Sequence, residues 1–235
     1  METLNSCSYV SGSWDKSLKL WNNDKLVKNY KEAHNDYVLV VLCLKNLDYP
    51  GFVSGGKDRV VKLWNASEDQ CIRKFDIKHT DSIWSLAQLR KFAIVSGGAD
   101  STIHVWNAKN GACLVSLKGH QNSVRCVAIL DNITIATSGN DKIIKIWNVE
   151  KQECFQTLNG HSKQVLAIIY EEIGLNKVII SAGADKLIKI WDTLTWTCRA
   201  NLEYHKDWVN CLGFDKSNKV LISSSDDKQI KLRKF

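Results

Sequence analysis

Proline is nearly absent from this 235-residue chain, Pro50 being its only example, and there is a single methionine. No run of about 18 apolar residues occurs, so no transmembrane helix is expected. The opening METLNSCSYV lacks both a basic start and an apolar core, so no secretory signal is expected either. No low-complexity tract or charge block marks a linker, and residues 1–235 read as a single domain. Cys-x-x-Cys spacing is missing, as are Gly-x-Ser-x-Gly, a phosphate-cradling glycine loop and His-Glu-x-x-His. Those gaps leave no catalytic residue, metal ligand or cofactor site to name, and the chain is not expected to be an enzyme or to take a small-molecule substrate.

What is present is regular. The stretch SGSWDKSLKLWN at 11–22 returns as SGGKDRVVKLWN at 54–65, and further copies follow. Aligned on their aspartates, the copies fall at Asp15, Asp58, Asp100, Asp141, Asp185 and Asp227, spaced by 43, 42, 41, 44 and 42 residues. Six residues after each aspartate stand Trp21, Trp64, Trp106, Trp147 and Trp191, then Arg233. A period of this size decides the fold before any local reading does. Within a unit, 82–88, 92–96, 102–106 and 112–117 are short β-branched or alternating runs parted by turn residues, which predicts four strands per unit.

Apolar residues make up 44% of the chain and charged residues 24%, enough for a sizeable core. Six of the eight cysteines follow the repeat. Cys71, Cys113, Cys154 and Cys198 each lie seven residues after a repeat tryptophan, and Cys126 and Cys211 share another strand position. Equivalent positions in successive units are too far apart for a disulfide. They are expected to be small, buried strand residues in a reducing compartment, where the sequons at Asn65 and Asn132 carry no meaning. A cytoplasmic or nuclear location is expected.

These units resemble the WD-repeat family over nearly the whole chain. The pairs Gly119-His120 and Gly160-His161, the looser His34, His79 and His205, and ends such as Trp191-Asp192 carry the resemblance. It implies an all-β fold, a β-propeller of six four-stranded antiparallel blades at about 1–32, 33–77, 78–118, 119–159, 160–203 and 204–235. The first blade keeps little or nothing of its innermost strand, and the last has no fourth strand. Twenty-two strands are expected where six full blades need twenty-four. This fits a shortened form of a longer, seven-bladed protein; the other account lets 3–7 add a makeshift strand and leaves an edge open for a partner or a second copy.

The resemblance also implies buried hydrogen-bond chains running from Trp to Ser or Thr to His to Asp. The complete sets are His34/Ser54/Asp58/Trp64, His79/Ser96/Asp100/Trp106, His120/Thr137/Asp141/Trp147 and His161/Ser181/Asp185/Trp191. A Ser/His/Asp set raises the thought of a hydrolase. Its fourfold recurrence, each time with a tryptophan on the hydroxyl, points to structure instead.

Function is therefore sought in loop residues that the core does not need. In WD-repeat propellers partners sit on the face bearing the His loop and the Asp turn, the top face. Trp14, Tyr37, Leu39, Lys57, Trp84, Arg125, Trp208 and Asn210 fall at loop positions expected there. Trp14, Tyr37, Trp84 and Trp208 stand outside the repeat tryptophan position, and aromatics and Arg are the residue types of binding hot spots. If the ring closes, they form an arc over consecutive blades; the plainer alternative has the rings packing on neighbouring loops and plugging the channel mouth. GSWDKSLKLWN resembles a blade of the heterotrimeric G-protein β subunit, whose matching tryptophan lies on its partner-binding face.

The expected partners are other proteins in multiprotein complexes, and the expected role is a scaffold or adaptor. One alternative is a ubiquitin-pathway adaptor, since residues 11–36 resemble the propeller of phospholipase-A2-activating-type adaptors. Another is an RNA-associated propeller of ribosome biogenesis or splicing, resting on the net charge of +7. Nucleic acid is not the favoured partner, and no membrane is expected. Lys19, Lys62, His104, Lys145, Lys189 and Lys231 share one strand position and are expected to snorkel along the blade flank. Trp196 is expected to mark a second, minor site on the opposite face.

Overall fold

The computed structural model describes residues 2–3, 8–45, 47–68, 70–76 and 78–235. Among these there are twenty-three strands and no helix, hence none long and apolar enough to cross a membrane. The strands form six antiparallel sheets, the six blades of a β-propeller fold, in two compact units, Met1–Gly119 and His120–Phe235.

In the first unit, blade one is β1 (Glu2–Thr3), β2 (Ser8–Gly12), β3 (Leu18–Asn22) and β4 (Lys25–Tyr30). Blade two is β5 (Val38–Cys43), β6 (Gly51–Gly56), β7 (Lys62–Asn65) and β8 (Gln70–Lys74). Blade three is β9 (Ile83–Arg90), β10 (Ala93–Gly98), β11 (Thr102–Asn107) and β12 (Cys113–Lys118).

The second unit holds blade four as β13 (Val124–Ile129), β14 (Thr134–Gly139), β15 (Ile144–Asn148) and β16 (Glu153–Leu158). Blade five is β17 (Val165–Ile173), β18 (Asn176–Gly183), β19 (Ile188–Asp192) and β20 (Cys198–Leu202). Blade six has three strands, β21 (Val209–Asp215), β22 (Val220–Ser225) and β23 (Ile230–Lys234).

The count exceeds the sequence expectation by one. β1 pairs Glu2 with Val10 and Thr3 with Tyr9, so an innermost strand of the first blade is present at these two described residues. Residues 4–7, the rest of the makeshift strand, lie outside the described residues.

Alternation places two apolar faces on each blade, and neighbouring blades bury them against each other. Val10, Leu18 and Leu20 of blade one pack with Phe52 and Trp64 of blade two. Val53, Val61 and Leu63 then meet Ile94 and Trp106 of blade three. In the second unit Ala136, Ile144 and Ile146 meet Ile179 and Trp191, and Ile180, Ile188 and Ile190 meet Leu221. One flank therefore offers three aliphatics, and the facing flank offers a large residue from the second strand with the repeat tryptophan beside it.

The turn between the second and third strands is the same in every blade. The residue after the repeat aspartate adopts a left-handed conformation at Lys16, Arg59, Ser101, Lys142, Lys186 and Lys228, with φ between 66° and 73°. Its N–H donates to the carbonyl three residues back, at 3.1 to 3.2 Å. This is the type I turn with a following left-handed residue that suits a tight hairpin. The aspartate accepts the N–H two residues on, as Thr102 to Asp100 at 3.0 Å, which explains why Asp recurs at this position.

Candidate protein-interaction face

The buried hydrogen-bond chains fix the loops. In blades two to five the indole N–H donates to the Ser or Thr hydroxyl at 2.7 to 2.8 Å. The hydroxyl lies 2.6 to 2.7 Å from His Nε2. Nδ1 lies 2.7 to 2.9 Å from the aspartate. With the proton on Nδ1, the carboxylate accepts from the imidazole, Nε2 accepts from the hydroxyl, and the hydroxyl oxygen accepts from the indole, so donors and acceptors match. Blade six keeps His205, Ser223 and Asp227 without the tryptophan, and blade one keeps only Trp21 donating to Ser11 at 2.9 Å. Ser54, Ser96, Thr137 and Ser181 are fully buried, so no substrate reaches these hydroxyls.

Each carboxylate also accepts a backbone N–H from the residue after its histidine, such as Asn35 to Asp58 at 3.0 Å. Burial pushes the Asp58, Asp100, Asp141 and Asp185 carboxyls upward, but the histidine bond and this backbone donor outweigh it and hold all four below the ordinary range. At Asp227 burial is likewise outweighed, by the Lys206 N–H and His205, and the pKa falls to about 2.

A second recurring bond builds the face. The N–H of the residue before the aspartate donates to the carbonyl just ahead of the inner strand: Lys57 to Tyr37, Ala99 to Ser82, Asn140 to Ser123, Ala184 to Gln164 and Asp226 to Trp208, at 2.8 to 3.0 Å. In blade two this close approach needs Gly56, where an added Cβ would lie 2.0 Å from the Tyr37 carbonyl oxygen. The bond sets the Lys57 side chain beside Tyr37, with Nζ 5.0 Å from the ring centroid. Lys57 also reaches Asp36 at 3.8 Å.

Trp14 joins the same place from the neighbouring blade. The Ser13 carbonyl accepts the Val38 N–H at 3.1 Å, tying the turn of blade one to the start of β5. Trp14 then lies parallel to Tyr37, centroids 5.3 Å apart and planes 7° from coincident. The indole is still 70% exposed and Tyr37 38%. An offset aromatic stack with a cation on it is a rigid amphipathic platform.

Other candidates divide. Leu39 and Trp84 are half-buried in the first unit, and Arg125 is half-buried in the second, where burial lowers its pKa. Trp208 is 44% exposed, and exposed Asn210 donates from Nδ2 to Asp226 Oδ1. Trp196 is half-buried and meets Phe155 edge-on at 5.9 Å. Asp36 was missed by sequence reasoning. Its signal was a recurring Asp or Asn at 36, 81, 122 and 207, one residue before the face position.

Two expectations are corrected. Lys62 and Lys189 do not snorkel: both are buried, with Nζ donating to the Ala33 carbonyl and to Asn201, because acceptors lie within reach inside the blade. Four of the repeat cysteines are not buried but half-buried or, at Cys198, exposed. They sit on the outermost strand, each Sγ leaning on the carbonyl two residues along at 3.3 to 3.6 Å. Cys126 is half-buried and Cys211 exposed, so neither of these is buried as expected, and Cys7 lies outside the described residues.

One group has the composition of a metal site. Ligand atoms of His79, Asp100 and His104 lie within 4.8 Å of one another. The space among them holds the Thr102 hydroxyl, 2.7 Å from Asp100, 3.1 Å from His104 Nε2 and 3.3 Å from His79 Nδ1. The second nitrogen of each ring is bonded to Ser96 or Ser116. A cation there would have to displace a satisfied network, so the fit is to hydrogen bonding. Burial, then the neighbouring His79, lowers the His104 pKa to about 4.

A family model described as WD domain, G-beta repeat matches residues 2–22, 25–65, 69–107, 111–148, 152–192 and 196–233. No curated protein matches the chain. With six matched repeats, six antiparallel blades and the recurring His–Asp turns, the chain belongs to the WD40 repeat family, whose propellers generally serve as protein-interaction scaffolds.

Proposed function

We propose that this chain is a non-catalytic scaffold that holds other proteins on the loop face carrying Trp14, Tyr37 and Lys57, with Trp208 and Asn210 at the corresponding loop positions of the second unit. The observation that carries the reading is the Trp14–Tyr37 stack: a large aromatic surface, fixed by a backbone bond between blades, left 70% exposed at its outer ring. The core does not need it, and rigid Trp and Tyr are the side chains around which binding energy concentrates. The RNA reading loses two members of the repeated lysine position, since the ammonium groups of Lys62 and Lys189 are committed within their blades.

The test is an affinity capture from cell extract with the wild-type chain beside a Trp14→Ala/Trp208→Ala double variant. Proteins retained by the first and lost by the second support the reading, and their identity gives the pathway. Identical captures by two equally folded baits would overturn it.

A further inference from the structure

Blade five carries the longest hairpin among the described strands. β17 and β18 pair as far as Glu172 with Lys177 and Ile173 with Asn176, two pairs beyond the level where β21 and β22 stop, at Asp215 with Val220. Gly174, at φ 64°, takes the first place of the two-residue turn, as a tight hairpin of that kind requires. The second place is Leu175, a large apolar side chain wholly in water. At the base of this hairpin one residue breaks the repeat. Three residues beyond the one paired with the buried hydroxyl, blades two, three and four have Leu44, Leu89 and Leu130, whereas blade five has Glu171. Its side chain is only 12% exposed. A carboxylate stands here where its neighbours pack the core, and a nearly buried charge is costly to the fold.

The hairpin and the turn between β21 and β22 border a groove of about 400 Å³. Ile173 and Phe214 form its apolar walls, and both pack on the apolar cluster between blades five and six. Most of its charges are already taken. Lys216 reaches across from blade six to Glu171 at 3.2 Å, while Glu172 holds Lys177 at 3.4 Å and accepts the Tyr170 hydroxyl at 3.4 Å. Asp215, in the facing turn, accepts the Ser217 and Asn218 N–H groups and the Asn218 side-chain amide. Lys219 lines the groove as well, and no carboxylate among the described residues pairs with it. The groove therefore combines apolar walls with one uncompensated cation. It lies within the second unit, at the opposite end of β21 from Trp208.

We propose that this groove docks a segment of a partner protein in which a large apolar residue is followed by an acidic one, the apolar side chain entering against Ile173 and Phe214 and the carboxylate meeting Lys219. A space of about 400 Å³ is at the small end of ligand pockets and admits one large side chain with its flanking backbone. The unpaired ammonium selects an acid over a base. Leu175, two residues after Ile173, carries the apolar surface beyond the groove, which suits a polypeptide rather than a small free acid. This surface does not depend on the loop face of the proposed function.

The probe is the capped tetrapeptide acetyl-Gly-Phe-Asp-Gly-amide, titrated into the 235-residue protein labelled with carbon-13 at its isoleucine δ1 methyls, with the Ile173 signal followed by NMR. A saturable shift is expected at millimolar peptide. Affinity should weaken at least roughly fivefold when the peptide carries Asn for Asp or Ala for Phe, or when the protein carries Lys219→Gln. Phenylpropanoate, the small acid with the same ring, should bind more weakly than the tetrapeptide, and Leu175→Ser should remove that margin. Lys219 and Leu175 are exposed, so both variants keep their melting temperature. Trp14→Ala/Trp208→Ala should leave the peptide affinity unchanged, which separates this proposal from the loop-face reading. No saturable shift, equal binding of a peptide with Lys for Asp, or binding indifferent to Lys219→Gln overturns the proposal. So does phenylpropanoate binding as tightly as the tetrapeptide, which would give the groove to a small free acid.

Discussion

The indole of Trp14 lies flat on the ring of Tyr37, 5.3 Å away, although the two belong to different blades. Their register comes from the backbone, through the Val38 N–H and the Ser13 carbonyl, so neither ring is needed to hold the loops. An aromatic pair contributes about 1 kcal/mol beyond its buried area. Trp14→Ala should therefore lower the melting temperature by only about 2–4 °C in a chain of this size. Thermal unfolding followed by circular dichroism checks this. A fall of 10 °C or more would make the ring a structural plug rather than a platform.

The buried chains should behave differently. Trp147→Phe keeps most of the ring volume but removes the N–H that Thr137 accepts, in a site only 2% exposed. Leaving that hydroxyl short of a partner costs about 1–3 kcal/mol. Trp21→Phe removes the same kind of bond, to Ser11, at a half-buried position where water can substitute, and should cost less. Chemical denaturation of the two variants side by side gives the comparison, and equal losses would contradict the burial argument.

Much of this was legible because a repeat states each interaction several times. The aspartate period and the strands of blade three can be read to within a residue or two, since alternation and turn residues are local properties. The Trp14–Tyr37 stack was not readable as a contact. It joins residues from two blades, and nothing in one period gives the offset between neighbours. The burial of Lys62 and Lys189 was hidden for a related reason, because a lysine reads as solvated until an acceptor such as Asn201 is seen to reach it. Cys198 reads as buried by its apolar character, yet lies on an outer strand where the repeat leaves it in water.

His104 gives the third blade its own acid sensitivity. Burial and His79, with Lys78 and Lys118, lower its folded pKa from 6.5 to about 4, while Asp100 opposes the shift. Because the folded value is the depressed one, the unfolded chain takes up this proton first as pH falls. The stability is present above pH 6.5 and is lost progressively down to about pH 4. At most this is about 3 kcal/mol. His104→Gln should flatten the fall in stability across that window and leave the steeper loss below it, where the paired aspartates protonate, in place. Denaturant titrations at pH 7, 5.5 and 4.5 test this, and parallel curves for variant and wild type would rule it out.

Ile146 and Leu232 occupy the same place in their repeats, one fully buried and the other 70% exposed. Truncating the first opens a cavity between blades four and five, and Ile146→Ala should cost about 2–5 kcal/mol. Truncating the second removes surface already in water, and Leu232→Ala should stay within about 0.5 kcal/mol. The contrast isolates cover from chemistry, because strand, register and residue class are shared. A Leu232→Ala loss as large as that of Ile146→Ala, measured by chemical denaturation, would instead mean that this flank is covered in solution.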